Sequence, residues 1–300
     1  MNLVPFTNTS LKKLVNVYQL EYKNGKSTGL GDFLRGSFSF MQIAQLLNLE
    51  FDIDISNHPI SKYIQNATNI EGIDYKNIEF YYDQNRDDNN SCIYEGKLTN
   101  INKTFLNNVI KMLNNKKCVV FGIYSYAFPS FNYHTQEGKN KINAKLQPNK
   151  LMQSYINKTL YDLRLLKKGY GVIHIRTGDN YLLKKATINP MFINYIKNII
   201  DGFIVEGKKY LIISDSNQLK IHLKSNSNFY VLIKNIEHLG GEAIKSPNSI
   251  GVMNTMLDYY LMSYSNGIIS LSTYGHVSGF SKYCAILNNI PFTFKQIEDK

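Results

Sequence analysis

The sequence predicts an α/β protein made of two Rossmann-like halves, with parallel sheets facing a central cleft. Three observations point there. Strand-like and helix-like segments alternate on both sides of the middle of the chain, the pattern of parallel sheets joined by crossover helices. A polar, basic stretch, HTQEGKNKINAKLQPNK from His134 to Lys150, separates the two series and reads as a linker. Two strands of the second half end in polar or hydroxyl residues, at the edge where open α/β sheets hold ligands. The expected domains are 1–150 and 151–300.

In the first half, LVNVYQLEY reads as a strand and KNGKSTGLGD as a loop. FLRGSFSFMQIAQLLN spaces Phe33, Leu34, Phe38, Met41, Ile43, Ala44 and Leu47 near the helical period. LEFDIDIS is the next strand, TFLNNVIKMLN a helix and CVVFGIYSYAF a strongly apolar strand. Beyond the linker, LMQSYINKTLYDLRLL resumes helical spacing, with Arg164 as a solvated residue near its end. The strands GVIHIR, KYLIIS, FYVLI and GIISLS follow, with helices expected near MFINYIKNIIDGF, NQLKIHLK, VMNTMLDYYLMSYS and GHVSGFSKYCAILNN.

Composition narrows the class. A chain of 300 residues, 43% hydrophobic and 19% charged, can bury a core and is not a disordered type. The net charge of +11 is spread over scattered lysines, which argues against nucleic acid and for a basic surface that attracts small anions. Cys92, Cys118 and Cys284 are too far apart for a disulfide framework or a zinc site and fit a reducing compartment. The N-terminus MNLVPFTNTSLKK lacks a signal-peptide core, and no apolar run approaches a membrane span, so a cytoplasmic location is expected.

Among 34 basic residues the arginines are Arg35, Arg86, Arg164 and Arg176. In a lysine-biased chain each arginine asks for a reason. The strand period places Val172, His174 and Arg176 on one face of GVIHIR, with Ile173 and Ile175 on the other. Arg176 at the strand end can grip phosphate oxygens with two parallel donors, a geometry lysine lacks. The plainer reading is a structural pair with Asp179, beside a satisfied core histidine at His174. GIISLSTYGHVSGF ends a strand in Ser272 and Thr273, which would cap a helix start able to hold an anion, with ordinary capping as the alternative. In STGLGDFLRG, Gly29 and Gly31 permit a tight turn, Asp32 caps the helix, and Arg35 lies in its first turn. The helix dipole disfavours a cation there, so an anionic partner would explain it.

Together these segments resemble the GT-B fucosyltransferase superfamily, which includes α1,2- and α1,6-fucosyltransferases and protein O-fucosyltransferases. The His-x-Arg-x-Gly-Asp motif of the α1,2 group is matched by His174, Arg176, Gly178 and Asp179. The N-terminal Gly-x-Gly loop with its following Arg is similar to Gly29, Gly31, Asp32 and Arg35. Ser214-Asp215 and LDYYLMSYSNGIISLSTYGHVSGF look like two further family segments. The α1,2 enzymes usually carry Asn at the position of Asp32 and a Trp-rich end, whereas this chain has no Trp. The resemblance implies a nucleotide-sugar-binding C-terminal domain and an acceptor-side N-terminal domain. It implies that Arg176 holds the β-phosphate of GDP-fucose and that His174 contacts the nucleotide. Asp258 would read the guanine amino group, and Ser272 and Thr273 would donate to the phosphates.

The implied reaction is inverting transfer of a sugar, fucose from GDP-fucose, to a hydroxyl of an oligosaccharide or glycan acceptor. No metal and no other cofactor is expected. Arg176, with Arg35 and the N–H groups after Thr273, would stabilise the leaving diphosphate. Asp32 and Asp179 are the candidate general bases. Two other readings stand beside it. Asp52 and Asp54 in FDIDIS have the Asp-x-Asp spacing of metal-dependent GT-A glycosyltransferases. A non-catalytic nucleotide-sugar or glycan-binding protein could keep the same fold.

Overall fold

The structure, a computed structural model, describes residues 3–81, 100–126, 135–178, 187–224, 228–244 and 250–298. The chain is mixed α/β with parallel sheets and divides into two compact units. The first holds Met1–Gln147 and Gly240–Glu242, the second Pro148–Leu239 and Ala243–Lys300.

The first unit is built on a four-stranded parallel sheet. Its strands are β1 (Lys13–Val17), β4 (Glu50–Asp54), β5 (Glu79–Tyr81) and β6 (Val120–Ser125), in the order β4-β1-β6-β5. A small antiparallel hairpin, β2 (Glu21–Tyr22) and β3 (Gly25–Lys26), follows β1. Helix α1 (Leu30–Leu46) buries Phe33, Leu34, Phe38 and Ile43 toward the core, with Leu14, Val15 and Val17 of β1 buried beneath. Helix α2 (Asn100–Asn114) adds Leu106, Val109 and Leu113 to the buried set.

One polar residue ties these parts together. Asn16, fully buried in the central strand β1, donates from Nδ2 to Ser37 Oγ of α1 at 2.9 Å and to the Ser125 carbonyl of β6 at 3.1 Å. Its Oδ1 accepts from the Ser125 N–H at 2.9 Å. A buried amide satisfied on both sides fixes the registry of helix and strand where an apolar residue would allow sliding.

The stretch 134–150 is not a plain linker. Helix α3 (Gln136–Lys145) occupies most of it, capped by Thr135 Oγ1, which accepts from the Gly138 N–H at 3.0 Å. Its buried side chains are Ile142 and, at its end, Leu146, with Gly138 buried beside them, a set too sparse to show as a periodic apolar pattern. Lys145 then pairs with Asp52 at 3.0 Å.

The second unit opens with α4 (Lys150–Asp162), after which exposed Arg164 turns the chain with a φ of 50°. Its sheet contains β7 (Gly171–Arg176), β8 (Tyr210–Ser214), β9 (Phe229–Val231), β10 (Gly267–Ser272) and β11 (Phe292–Gln296). All pair in parallel, in the order β11-β10-β7-β8-β9. The helices are α5 (Pro190–Asp201), α6 (Asn217–Leu223), α7 (Ile250–Ser263) and α8 (Gly279–Leu287). Ile173 and Ile175 pack with Phe192, Ile196 and Ile200 of α5 and with Leu219 and Leu223 of α6. His174 turns to the opposite face, near Phe280 of α8, so the faces of β7 divide as the alternation predicts. Strands β5 and β11 have no counterpart in the sequence reading, although FTFKQ alternates apolar and polar residues.

Gly36 of α1 marks the tightest approach of helix to sheet in the first unit. A Cβ built there would lie 1.8 Å from the Ser125 carbonyl oxygen, a backbone atom that cannot swing aside. Gly36→Ala should therefore lower stability by about 3 kcal/mol or more, at or above the usual range for overpacking, read as a fall in the urea midpoint. An unchanged midpoint would contradict this packing.

Candidate functional site

The pairing register brings the key residues of the second unit together. Arg176 on β7 and Ser272 on β10 are direct cross-strand partners. Just beyond them, the Thr273 N–H donates to the Arg176 carbonyl at 3.2 Å, and Thr273 Oγ1 donates to the Thr177 carbonyl at 3.1 Å. Both strands thus end in one stitched edge, at the C-terminal end of a parallel sheet. Gly178 follows with a φ of +111°, where a side chain would be strained.

The centre of this edge is Asp215, immediately after β8. Its carboxylate accepts from Arg176 Nη1 at 2.9 Å, from the Thr177 N–H at 2.8 Å and Oγ1 at 2.6 Å, and from the Gly178 N–H at 3.2 Å. The ion pair is well buried, with side-chain exposures of 15% for Arg176 and 4% for Asp215. The expected structural partner, Asp179, lies outside the described residues; among them, the carboxylate that holds Arg176 comes just after the neighbouring strand. Tyr274 flanks the guanidinium at 5.8 Å from its ring centre and stacks with His276.

Ser272 and Thr273 do not cap a helix. Helix α8 begins only at Gly279, with Ser278 as its N-cap residue. Ser272 Oγ instead accepts from the Tyr274 N–H at 3.1 Å, a local turn that delays the helix and occupies the first N–H after Thr273.

His174 is buried at 6% exposure, yet among the described residues its Nδ1 has no hydrogen-bond partner. It is therefore not the satisfied core histidine of the plainer reading. Burial pushes its pKa down to about 4, the Arg176 charge adds to this, and Asp215 opposes it. The Tyr259 hydroxyl of α7 is also buried without a partner among the described residues, and both rings approach Phe280, at 6.1 Å for His174 and 5.9 Å for Tyr259. Asp258, beside Tyr259 on α7, is buried at 8% exposure. Burial raises its carboxyl pKa to about 6, while Lys220 and then Lys234 pull it back down.

The remaining candidates belong to the first unit. Helix α1 starts at Leu30 with Gly29 as an extended N-cap residue, so Gly31 lies inside the helix and neither glycine needs a left-handed backbone. Asp32 makes no cap and sits in the first turn, which places Arg35 in the second turn, beyond the strongest part of the dipole. Arg35 finds its anion in Asp32 itself, at 2.8 Å, and its Nε and Nη2 donate to the Tyr126 carbonyl at 3.1 and 2.9 Å. The Asp-x-Asp pair has protein partners throughout. Asp52 accepts from Lys13, Lys145 and the Ile53 N–H, and Asp54 from Ser56, Tyr75 and the Ile70 N–H. Among the described residues no cluster of three His, Cys, Asp or Glu groups could hold a metal ion. Cys118 and Cys284 are free thiols there, and Cys92 lies outside them. No helix among them is long and apolar enough to cross a membrane.

The sequence reading noticed Ser214-Asp215 without giving Asp215 a task, and it missed Lys220. A signal for Lys220 existed. In NQLKIHL it sits four residues after Ser216 and three before Leu223, on the buried side of the helix.

The His174 environment has a measurable consequence. Its neutral form is favoured in the folded state, so the associated stability is present above pH 6.5 and lost as pH falls through about 4. The full loss is on the order of 3 kcal/mol. Asp258 works in the opposite sense, since its raised pKa gives stability at low pH that disappears as pH rises through about 6. Urea melts from pH 7 to 4 should therefore show wild type losing stability relative to His174→Gln. Parallel curves would rule out a buried, neutral imidazole.

No protein-family model matches this sequence, and no curated protein matches it significantly. Solved structures do. NodZ α1,6-fucosyltransferase soaked with GDP-fucose superposes with a TM-score of 0.52 at 13% identity, over 96% of this chain and 94% of that one. Fucosyltransferase NodZ from Bradyrhizobium gives 0.52 at 13% identity, over 97% and 96%. A mutant of Arabidopsis thaliana FUT1 in complex with GDP gives 0.53 at 9% identity, over 99% of this chain and 73% of that one. At such identities the likeness is one of fold, and the fold is that of the GT-B fucosyltransferases.

Proposed function

We propose that this protein is an inverting, metal-independent glycosyltransferase that moves fucose from GDP-fucose to a hydroxyl of a glycan. The observation that carries the reading is the Arg176 guanidinium, oriented by Asp215 at the C-terminal edge of a parallel sheet, beside Ser272 and Thr273. Open α/β sheets bind ligands at this edge, and the similar folds of NodZ and FUT1 were solved with GDP-fucose or GDP.

In this reading Arg176 grips the β-phosphate and Thr273 lies alongside the diphosphate. Asp258 accepts from the guanine amino group, and His174 presents its unpartnered Nδ1 to the nucleotide. The acceptor oxygen attacks the anomeric carbon of fucose from the face opposite the diphosphate. The bond from that carbon to the β-phosphate oxygen breaks, and GDP leaves with the electron pair. Arg176 balances the charge that grows on the leaving oxygen. A carboxylate takes the acceptor proton, and Asp32 and Asp179 remain the candidates for that role. Asp215 keeps the guanidinium in one orientation, so little reorganisation accompanies bond breaking.

Calorimetric titration with GDP, UDP and CDP tests the donor, with GDP expected to bind most tightly. A preference for UDP would remove fucose from the proposal. Slow release of GDP from GDP-fucose in the absence of acceptor would separate an enzyme from a binding protein. Transfer should survive EDTA, because each Asp52 and Asp54 oxygen already accepts from the protein. Loss in EDTA with recovery on adding Mn²⁺ would transfer the mechanism to that pair.

Arg176→Lys isolates the fork geometry. It retains a charge for Asp215 but cannot bind two phosphate oxygens in parallel. GDP affinity should fall roughly tenfold to a hundredfold, with a stability loss of only about 1 kcal/mol. Arg176→Ala should also cost stability, about 3 kcal/mol, because Asp215 loses its counter-ion in a buried setting. Unchanged GDP affinity in Arg176→Lys would leave the ion pair as scaffold alone.

A further inference from the structure

Tyr274 stands at the edge that carries Arg176, and the proposed reaction gives it no task. Its contacts fix its place closely. The Tyr274 N–H donates to Ser272 Oγ at 3.1 Å, which ties the residue to the end of β10. Its ring centre lies 5.8 Å from the Arg176 guanidinium carbon, within the range of a cation–π attraction. The ring also stacks on His276, with centroids 5.4 Å apart and planes 21° from parallel. The bond from Arg176 Nη1 to Asp215 holds one corner of the guanidinium, and an aromatic ring beside it limits how the plane can turn.

The hydroxyl end of Tyr274 reaches the turn after β7. A Cβ built on Gly178 would lie 3.7 Å from Tyr274 Oη and 3.4 Å from Thr273 Oγ1, so both hydroxyls border the space that the missing side chain leaves. That space adjoins the ion pair, because the Gly178 N–H and Arg176 Nη1 donate to the same oxygen of Asp215, at 3.2 and 2.9 Å. The two hydroxyls differ in what they can offer. Thr273 Oγ1 directs its proton to the Thr177 carbonyl at 3.1 Å and therefore borders the space as an acceptor. A tyrosine hydroxyl can turn its proton toward an anionic oxygen. Phosphate oxygens need donors, and a hydrogen bond to a charged acceptor is among the stronger ones.

We propose that Tyr274 is a diphosphate-binding residue of this site, its ring backing the Arg176 guanidinium and its hydroxyl donating, beside Gly178, to the phosphate that Arg176 grips. The inference rests on the reading of Arg176 given above. It makes Tyr274 a residue that counts phosphates: its hydroxyl serves a nucleoside diphosphate and is idle with a monophosphate.

Calorimetric titration of GDP and GMP into wild type and Tyr274→Phe tests this. Wild type should bind GDP more tightly than GMP by tenfold or more, on the order of one charge-assisted bond. Tyr274→Phe keeps the ring and removes only the hydroxyl. Its GDP affinity should fall roughly tenfold, while its GMP affinity and the melting temperature of the free protein stay at the wild-type values. Tyr274→Leu removes the ring as well and should cost GDP a further factor of about two to five. If Tyr274→Leu does not fold, the Phe variant decides alone. A wild-type preference for GDP that Tyr274→Phe leaves untouched, or an equal loss for GDP and GMP, overturns the inference and leaves the Arg176 reading standing. A wild type that binds the two nucleotides equally, or binds neither, overturns both.

Discussion

Asp215 holds the ends of two neighbouring strands in a single arrangement. Four donors from Arg176, Thr177 and Gly178 converge on its carboxylate. The turn after β7 would otherwise carry backbone N–H groups with no sheet partner, since the ladder to β8 ends there. The carboxylate satisfies those groups and orients the guanidinium at once. Its electrostatic influence reaches further, opposing the lowering that burial imposes on the His174 and Lys220 pKa values. Replacing it would disturb the loop path and the aim of Arg176 together.

The first unit solves a related problem with a neutral group. Asn16 joins β1, α1 and β6 through a side-chain amide, much as Asp215 joins β7 and β8 through a carboxylate. The difference follows from what each must hold. Asn16 meets only backbone and hydroxyl groups and needs no charge, so its burial is complete at modest cost. Asp215 must hold a cation at the sheet edge, where partial exposure of Arg176 keeps desolvation tolerable.

Much of this was legible in the chain. The alternation of GVIHIR, KYLIIS and GIISLS with helical segments predicted the parallel sheet, because period-two and period-3.6 patterns are physically distinct. The polar face of β7 followed from the same period. Other features were hidden for identifiable reasons. The apolar side chains that helix α3 buries are few, Ile142 and Leu146, so its sequence reads as solvent-facing. The helix after β10 starts at Gly279 because Ser272 spends its hydroxyl on its own turn, a local competition that residue types alone do not resolve. Asp215, which holds Arg176, is 39 residues away along the chain and becomes adjacent only through strand pairing, so residue spacing does not reveal it. The start of α1 at Leu30 places Asp32 one turn before Arg35, where the two pair at 2.8 Å, a helical phase that the glycines of STGLGD leave open in the sequence.

The order of strands in the second sheet carries a consequence for synthesis. β7 is flanked by β8, which arrives soon after it, and by β10, whose Gly267 pairs with Gly171 across a long intervening stretch of chain. On a ribosome, β7 and β8 can associate early, but one edge of β7 waits until β10 has emerged. During that interval an apolar strand has an unpaired edge, the kind of surface that chaperones recognise and that aggregation exploits. Arg176 and the Asp215 clamp can form while β10 is still absent, whereas the Ser272–Thr273 stitch cannot. Pairing of β10 with β7 therefore coincides with completion of the edge that carries Arg176, Ser272 and Thr273, and only β11 remains to be added after it.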